Sequence, residues 1–188
     1  KSTQNLHEFN AMISTPINLQ NTTLFGHLFC EFISYSRKVA SNYEESEKIL
    51  FSTGYDMGIR LWELFMLSSR VQSTDKQNKS FNSKIEIQQP KQFLDFIKEK
   101  YWKFLFNKNA DSLEKIKGQD LQFYLIDKKP LTDKYVSYPQ QYRGCVPSCL
   151  IGGVIKAALD LQMFEADVEV HLVEQNSEVL TYYHIKFK

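Results

Sequence analysis

The chain has 188 residues, which is enough for one well-buried domain or for two small ones. Its formal net charge is only +1, which disfavours a nucleic-acid partner, because proteins that bind duplexes usually carry a strongly basic domain. Three cysteines without regular spacing argue against a disulfide framework and fit a reducing compartment. No segment approaches the ~18 consecutive apolar residues that a membrane span needs. The largely polar start predicts a flexible segment over residues 1–20, followed by a single domain over 21–188.

Two helices are predicted in the first part of this domain. A polar cluster at Asn21 is a good N-cap for the first helix, and Ser41-Asn42 ends it. Acidic residues from Glu44 onward then suit the first turn of a second helix. This helix contains Gly54 and Gly58, and each glycine costs roughly 1 kcal/mol against alanine. The pair therefore predicts a kink or a close approach to another helix.

A polar run separates these helices from a third one. Residues 71–89 are mostly Gln, Ser, Asn and Lys, which predicts a long surface loop with disorder. Pro90 suits a helix start, and apolar residues at helical spacing extend this third helix to Phe106. Residues 107–118 are predicted to be a charged connector.

The period of the apolar residues then changes to two. Residues 121–126 predict a strand that is buried on both faces, and residues 135–138 predict a second short strand that ends at a proline. Alternation over 167–172 and 179–187 predicts a closing hairpin. Short turns within each strand pair indicate an α+β fold. We expect three N-terminal helices, an antiparallel sheet of about four strands and a buried fourth helix between the strand pairs.

The predicted fourth helix follows two cysteines with the spacing C-x-x-x-C. Redox pairs use C-x-x-C instead, and a zinc site would need two further ligands that no neighbouring motif supplies. Pro147 suits the first helical turn, so Cys149 lies in an apolar helix and is predicted to be a packing residue. Cys145 precedes the helix and is predicted to be a possible exposed thiol.

The last hairpin carries two histidines that can face each other. His171 and His184 lie on its more polar side, and Glu169 would make a third ligand. Zinc sites usually assemble three or four ligands of the right type, so the sequence favours a solvated strand face over a metal site. No phosphate-binding loop, nucleophile elbow or metalloprotease motif occurs. We therefore predict no catalytic residues, no cofactor and no metal.

The first two helices contain more apolar residues than one buried face requires. Such a surplus indicates a thick core, a protein–protein interface or an internal apolar cavity. The interface hypothesis assigns to a partner six residues of these helices: Phe25, Leu28, Phe29, Phe32, Leu61 and Phe65.

Several stretches together resemble the small core subunits of the transport protein particle (TRAPP). They are "GYDMGIRLWE" from Gly54, "YWKFLFNKNADSLE" from Tyr101, "FYLID" from Phe123, and "GGVIKAALDLQMFEADVEVHLV" from Gly152. No motif is diagnostic alone, but their order and spacing over roughly residues 24–187 are specific.

The resemblance implies a non-catalytic scaffold subunit of a vesicle-tethering complex in ER-to-Golgi traffic. Family members pair through their first helices, and their complex supports nucleotide exchange on a Rab-type GTPase. The implied partners are other TRAPP subunits in a heterodimer, with a homodimer expected when the chain is isolated. The GTPase and membranes would be indirect partners. The implied location is cytoplasmic and peripheral at ER and cis-Golgi membranes.

The alternative function is a regulatory module that binds a small apolar ligand, such as an acyl chain or a hydrocarbon. One TRAPP relative carries an acylated cysteine between its second and third helices, whereas residues 71–89 of this chain contain no cysteine. This difference argues against acylation of that kind.

Overall fold

The computed structural model describes residues 19–75, 89–130, 132, 146–175 and 178–188. The first helix, α1, spans Leu19–Val39, and the second, α2, spans Tyr43–Asp75. α1 thus starts before the predicted cap at Asn21. The first five residues of the predicted loop over 71–89 are helical, which corrects that boundary, and 76–88 lie outside the described residues.

The third helix, α3, is continuous from Pro90 to Phe106 but is not uniform. It comprises Pro90–Phe96, one π-helical turn over Ile97–Tyr101, and Trp102–Phe106. Asn107 ends it in the left-handed conformation with φ of 55°, a conformation that asparagine adopts more readily than most residues. The prediction for α3 is confirmed at both ends.

The sheet has four antiparallel strands in the order β1-β2-β4-β3. The strands are β1 (Ser112–Lys115), β2 (Gln122–Asp127), β3 (Ala166–Gln175) and β4 (Glu178–Phe187). β1 lies inside the predicted connector over 107–118, so that prediction is wrong. Its partner is β2, which pairs Leu113 with Leu125. The strand predicted over 135–138 lies outside the described residues.

The fourth helix, α4, spans Cys149–Leu161 and lies between β2 and β3 in the chain. Almost all of it is buried, as its apolar sequence predicts. α4 packs between α2 and the sheet: a Cβ on Gly152 would lie 2.6 Å from Val170 Cγ2 of β3 and 3.3 Å from the Phe51 ring of α2. The predicted α+β fold is therefore confirmed.

Glycines allow α2 and α4 to meet backbone to backbone. A Cβ on Gly54 would lie 1.9 Å from the Leu150 carbonyl oxygen, and one on Gly153 would lie 2.0 Å from the Phe51 carbonyl oxygen. Real Cβ atoms do not approach other atoms so closely. The close approach predicted from Gly54 and Gly58 is confirmed.

Aromatic rings fill the space between α2 and α3. Trp62 contacts Tyr101 with ring centroids 5.0 Å apart, and Phe65 contacts Tyr101 at 5.3 Å. The α3 residue Trp102 reaches the sheet, where its ring lies 5.5 Å from that of Tyr183. One core therefore joins α2, α3 and the inner face of the sheet.

A side-chain cap fixes the start of α2 after the turn from α1. Asn42 Oδ1 accepts a hydrogen bond from the Glu45 N–H at 2.8 Å, and Glu45 Oε2 accepts one from the Ser41 N–H at 2.7 Å. This reciprocal arrangement resembles a capping box, which satisfies N–H groups that have no partner within the helix.

We expect Asn42→Ala to lower the free energy of unfolding by about 1 kcal/mol, because the Glu45 N–H loses its acceptor. Asn42→Asp is the matched control and should keep the stability, since aspartate caps as well as asparagine. Urea unfolding of the three proteins measures the difference. Equal stability of the alanine and aspartate variants would show that the cap contributes nothing.

Candidate interaction surface

An exposed apolar stripe runs along α1. Leu24, Leu28, Tyr35 and Val39 are each exposed by between 57% and 63%. Successive members lie four or seven residues apart, so they share one side of the helix. At 1.5 Å per residue the stripe is about 22 Å long. We call these four residues the α1 stripe. Glu31 is exposed and interrupts its apolar character between Leu28 and Tyr35.

A different side of α1 attaches the helix to the rest of the chain. Phe29 and Ile33 are buried in the core. Ser36 Oγ donates to the Ile33 carbonyl oxygen at 2.9 Å and lies 3.0 Å from Ser46 Oγ of α2. Both hydroxyls are buried, so this pair ties α1 to α2. The α1 stripe is therefore not the side by which α1 joins its own fold.

α2 also exposes large apolar side chains. Met57, Leu64 and Leu67 are exposed by 41%, 43% and 47%. Isolated apolar residues are common on protein surfaces, but an apolar row on a helix is typical of an interaction site. Together with the α1 stripe, they place a candidate interaction surface on the first two helices.

The six residues predicted for a partner interface fall into three groups. Leu28 is exposed, while Phe32 and Leu61 are half-buried and pack against the core. Phe29 and Phe65 are buried, at 3% and 5% exposure, and belong to the core of this chain. This corrects their assignment, because both contribute to internal packing rather than to the free surface. Phe25 lies in α1, and its side chain is outside the described residues.

The predicted interface set omits exposed apolar residues of the same two helices, namely Leu24, Tyr35, Val39 and Met57. The available signal was the four-residue spacing of Leu24 and Leu28, continued by Tyr35 and Val39.

The cysteine predictions have separate outcomes. Cys149 is 8% exposed and lies in the core, which confirms its packing role. Two hydrogen bonds fix the turn before Cys149. The Cys149 N–H donates to the Val146 carbonyl oxygen at 3.0 Å, and the Val146 N–H donates to Glu47 Oε1 at 2.8 Å. Cys145 lies outside the described residues, so its exposure stays a prediction.

The outer face of the sheet brings Glu169, His171 and His184 together. Glu169 pairs directly with His184 across β3 and β4, and His171 follows two residues along on the same face. One ligand atom from each residue lies within 4.8 Å of the others. The two imidazole rings are 6.2 Å apart between centroids. The predicted approach of the histidines is therefore confirmed.

Neighbouring charges and burial set the protonation of this group. A hydrogen bond from Lys186 lowers the pKa of Glu169, so its carboxylate form is favoured. Burial lowers the pKa of His184, and the Lys186 charge adds to this effect, so the neutral imidazole is favoured. Nε2 of His184 lies 2.9 Å from Gln122 Oε1.

No helix in the described parts of the chain has both the length and the apolar character needed to cross a bilayer.

Comparison with known proteins identifies the family. The model of the transport protein particle (TRAPP) component family matches residues 25–188. Trafficking protein particle complex subunit 5 of Dictyostelium discoideum is 31% identical over 153 residues, covering 81% of this chain and 76% of that protein. The Gallus gallus subunit 5 is 29% identical over 147 residues, covering 78% of this chain and 72% of that protein.

A solved structure shares the fold. It is the crystal structure of trafficking protein particle complex subunit 3 from Naegleria fowleri, covalently bound to palmitic acid. The TM-score is 0.73 at 18% identity, and the match covers 91% of this chain and 97% of that chain. At this identity the likeness shows the fold alone. The family is shown by the match over residues 25–188 and by the subunit 5 relatives. The chain therefore belongs to the TRAPP component family and is most like subunit five.

Proposed function

We propose that this chain is a non-catalytic scaffold subunit that holds neighbouring subunits of a TRAPP-type tethering complex together. Family membership associates the chain with vesicle trafficking. The observation that carries the scaffold role is the α1 stripe, an apolar row that is exposed in the described part of the chain. Covering such a row with a second protein removes apolar surface from water, at roughly 25 cal/mol per Å².

A partner that is itself another TRAPP subunit is supported by the family assignment and by the exposed apolar residues of α1 and α2. A stable interface usually buries about 800 Å² on each partner, with an apolar centre and a polar rim. The α1 stripe supplies an apolar centre that Glu31 interrupts, while the exposed residues His27 and Lys38 beside it supply polar groups for a rim. When the chain is expressed alone, we expect a second copy to cover the same surface.

The role in traffic follows from the assembly. In this proposal the chain supports nucleotide exchange on a Rab-type GTPase by keeping the exchange-active subunits in one complex. It contributes no bond-making chemistry of its own. It acts from the cytoplasmic side, peripheral to ER and cis-Golgi membranes, during ER-to-Golgi traffic.

The packing of α2 against α4 favours the scaffold over an apolar-ligand module. The related subunit 3 structure contains covalently bound palmitic acid. In this chain, Gly54 and Gly153 bring the backbones of α2 and α4 into contact, so an acyl chain between them would have to separate the two helices. The segment 71–89 also contains no thiol that could form a thioester.

Affinity purification of the tagged chain from its native cells tests this proposal. We expect the other TRAPP subunits to co-purify in fixed proportion, and we expect the complex to accelerate GDP release from a Rab-type GTPase. Removing the chain should reduce exchange because the complex loses subunits. A chain that is recovered alone, or a complex that keeps its full composition and exchange rate without it, would contradict the scaffold role.

A further inference from the structure

The group on the outer sheet face has the donor atoms and spacing of a three-ligand metal site. Glu169 Oε2 lies 3.7 Å from His171 Nε2 and 3.7 Å from His184 Nδ1. Zinc–ligand bonds of 2.0–2.2 Å in tetrahedral geometry place the ligand atoms about 3.4 Å apart. Small side-chain rotations would therefore bring all three atoms to one ion.

The hydrogen bond of His184 orients the ring for this role. The Gln122 side-chain oxygen is an acceptor 2.9 Å from Nε2, so Nε2 carries the proton and Nδ1 keeps a free lone pair. That lone pair faces the Glu169 carboxylate, which is also an acceptor, at 3.7 Å. A cation between these two acceptors would bind to both of them, and a metal-ligating histidine normally donates its other N–H to an outer partner such as Gln122.

We propose that Glu169, His171 and His184 bind a divalent transition-metal ion of the Zn²⁺ class on the outer face of the sheet. Two imidazoles and one carboxylate form a ligand set that zinc accepts, and three protein ligands leave a fourth position for water. Side chains of His171 and Glu169 are about half exposed, at 51% and 49%, so an ion can reach the site from solvent. The site is independent of the surface on α1 and α2.

Lys186 is the group that opposes metal binding. Its Nζ donates to both Glu169 oxygens at 2.8 Å, so an ion must displace it from Oε2 and bind beside its charge. Removing this charge without removing a ligand should therefore tighten binding. Adventitious binding elsewhere would not respond in this way.

Zn²⁺ titration of the full chain by calorimetry tests the site. We expect His171→Ala to weaken binding at least about tenfold and Gln122→Ala to weaken it about tenfold, because outer partners contribute on that scale. We expect Lys186→Gln to tighten it severalfold. Zn²⁺ should also raise the unfolding temperature of the wild type but not of His171→Ala, since a ligand that binds only the folded state stabilises it.

Two outcomes would overturn the proposal. One is the absence of Zn²⁺ binding in both the wild type and Lys186→Gln. The other is equal affinity in the wild type, His171→Ala and Glu169→Gln, which would place the ion outside this group. Both substitutions fall on half-exposed side chains, so loss of the fold would not explain a loss of binding.

Discussion

Gly153→Ala should destabilise the protein by about 2 kcal/mol, although alanine is the better helix former. Helix propensity alone would favour the variant by about 1 kcal/mol. The new Cβ would lie 2.0 Å from the Phe51 carbonyl oxygen and 2.6 Å from the Tyr55 nitrogen, and both are backbone atoms. Neither can rotate away, so α2 and α4 must separate. Overpacking of this kind costs 1–3 kcal/mol and sometimes more.

Thermal unfolding measures this effect, and the expected fall in melting temperature is about 4–8 °C. Gly152→Ala is the matched control, since its nearest contacts are side chains, Val170 Cγ2 at 2.6 Å and the Phe51 ring at 3.3 Å. These can adjust, so the loss should be smaller. If Gly153→Ala is as stable as the wild type, the backbone contact between α2 and α4 does not exist in solution.

Leu28→Glu should weaken association with a partner TRAPP subunit by at least ~30-fold, or about 2 kcal/mol, while leaving the fold intact. Leu28 is 63% exposed, so the substitution creates no cavity, and surface changes usually alter stability by less than about 0.5 kcal/mol. When a partner subunit covers the α1 stripe, however, the new carboxylate would be buried without a partner charge.

Co-expression and titration of the purified partners measure this loss. Gln92→Glu is the matched control, because it adds the same charge at an exposed position of α3, which is not part of the α1 stripe. It should bind like the wild type. Equal affinity of the Leu28→Glu and wild-type chains would remove the α1 stripe from the interface.

Periodicity predicted α1, α2 and α3 because each helix buries one side against the core. The glycine pair in α2 predicted the close packing of α2 against another helix. A glycine inside a helix lowers stability, so a close backbone contact is the usual reason for its presence. The hairpin of β3 and β4 followed from alternation. What these patterns share is that the physical cause lies within one segment of the chain.

Elements that depend on distant partners were missed. β1 contains only one apolar residue, Leu113, so its sequence shows no alternation. It forms a strand because its backbone pairs with that of β2. The end of α2 reaches Asp75 although its apolar residues stop earlier, since each further residue adds a hydrogen bond to an existing helix.

The candidate surface shows the same limit. An apolar helix such as α1 has residues on all sides, and only the tertiary structure decides which side is core. Phe29 turned out to be internal, whereas Leu24 and Val39 are exposed. The approach of His171 and His184 could be predicted from the sequence, because the hairpin register follows from alternation. The contact between His184 and Gln122 could not be predicted, because the two residues lie 62 positions apart.

Oxidative footprinting of the native complex tests the central claim, that the first two helices are covered by another subunit. Tyr35 and Met57 are both exposed in the free chain, whereas Met163 is 89% exposed far from α1 in sequence and serves as the reference. We predict that assembly slows the oxidation of Tyr35 and Met57 and leaves that of Met163 unchanged. Equal oxidation of Tyr35 and Met57 in the free and assembled chain would contradict the account.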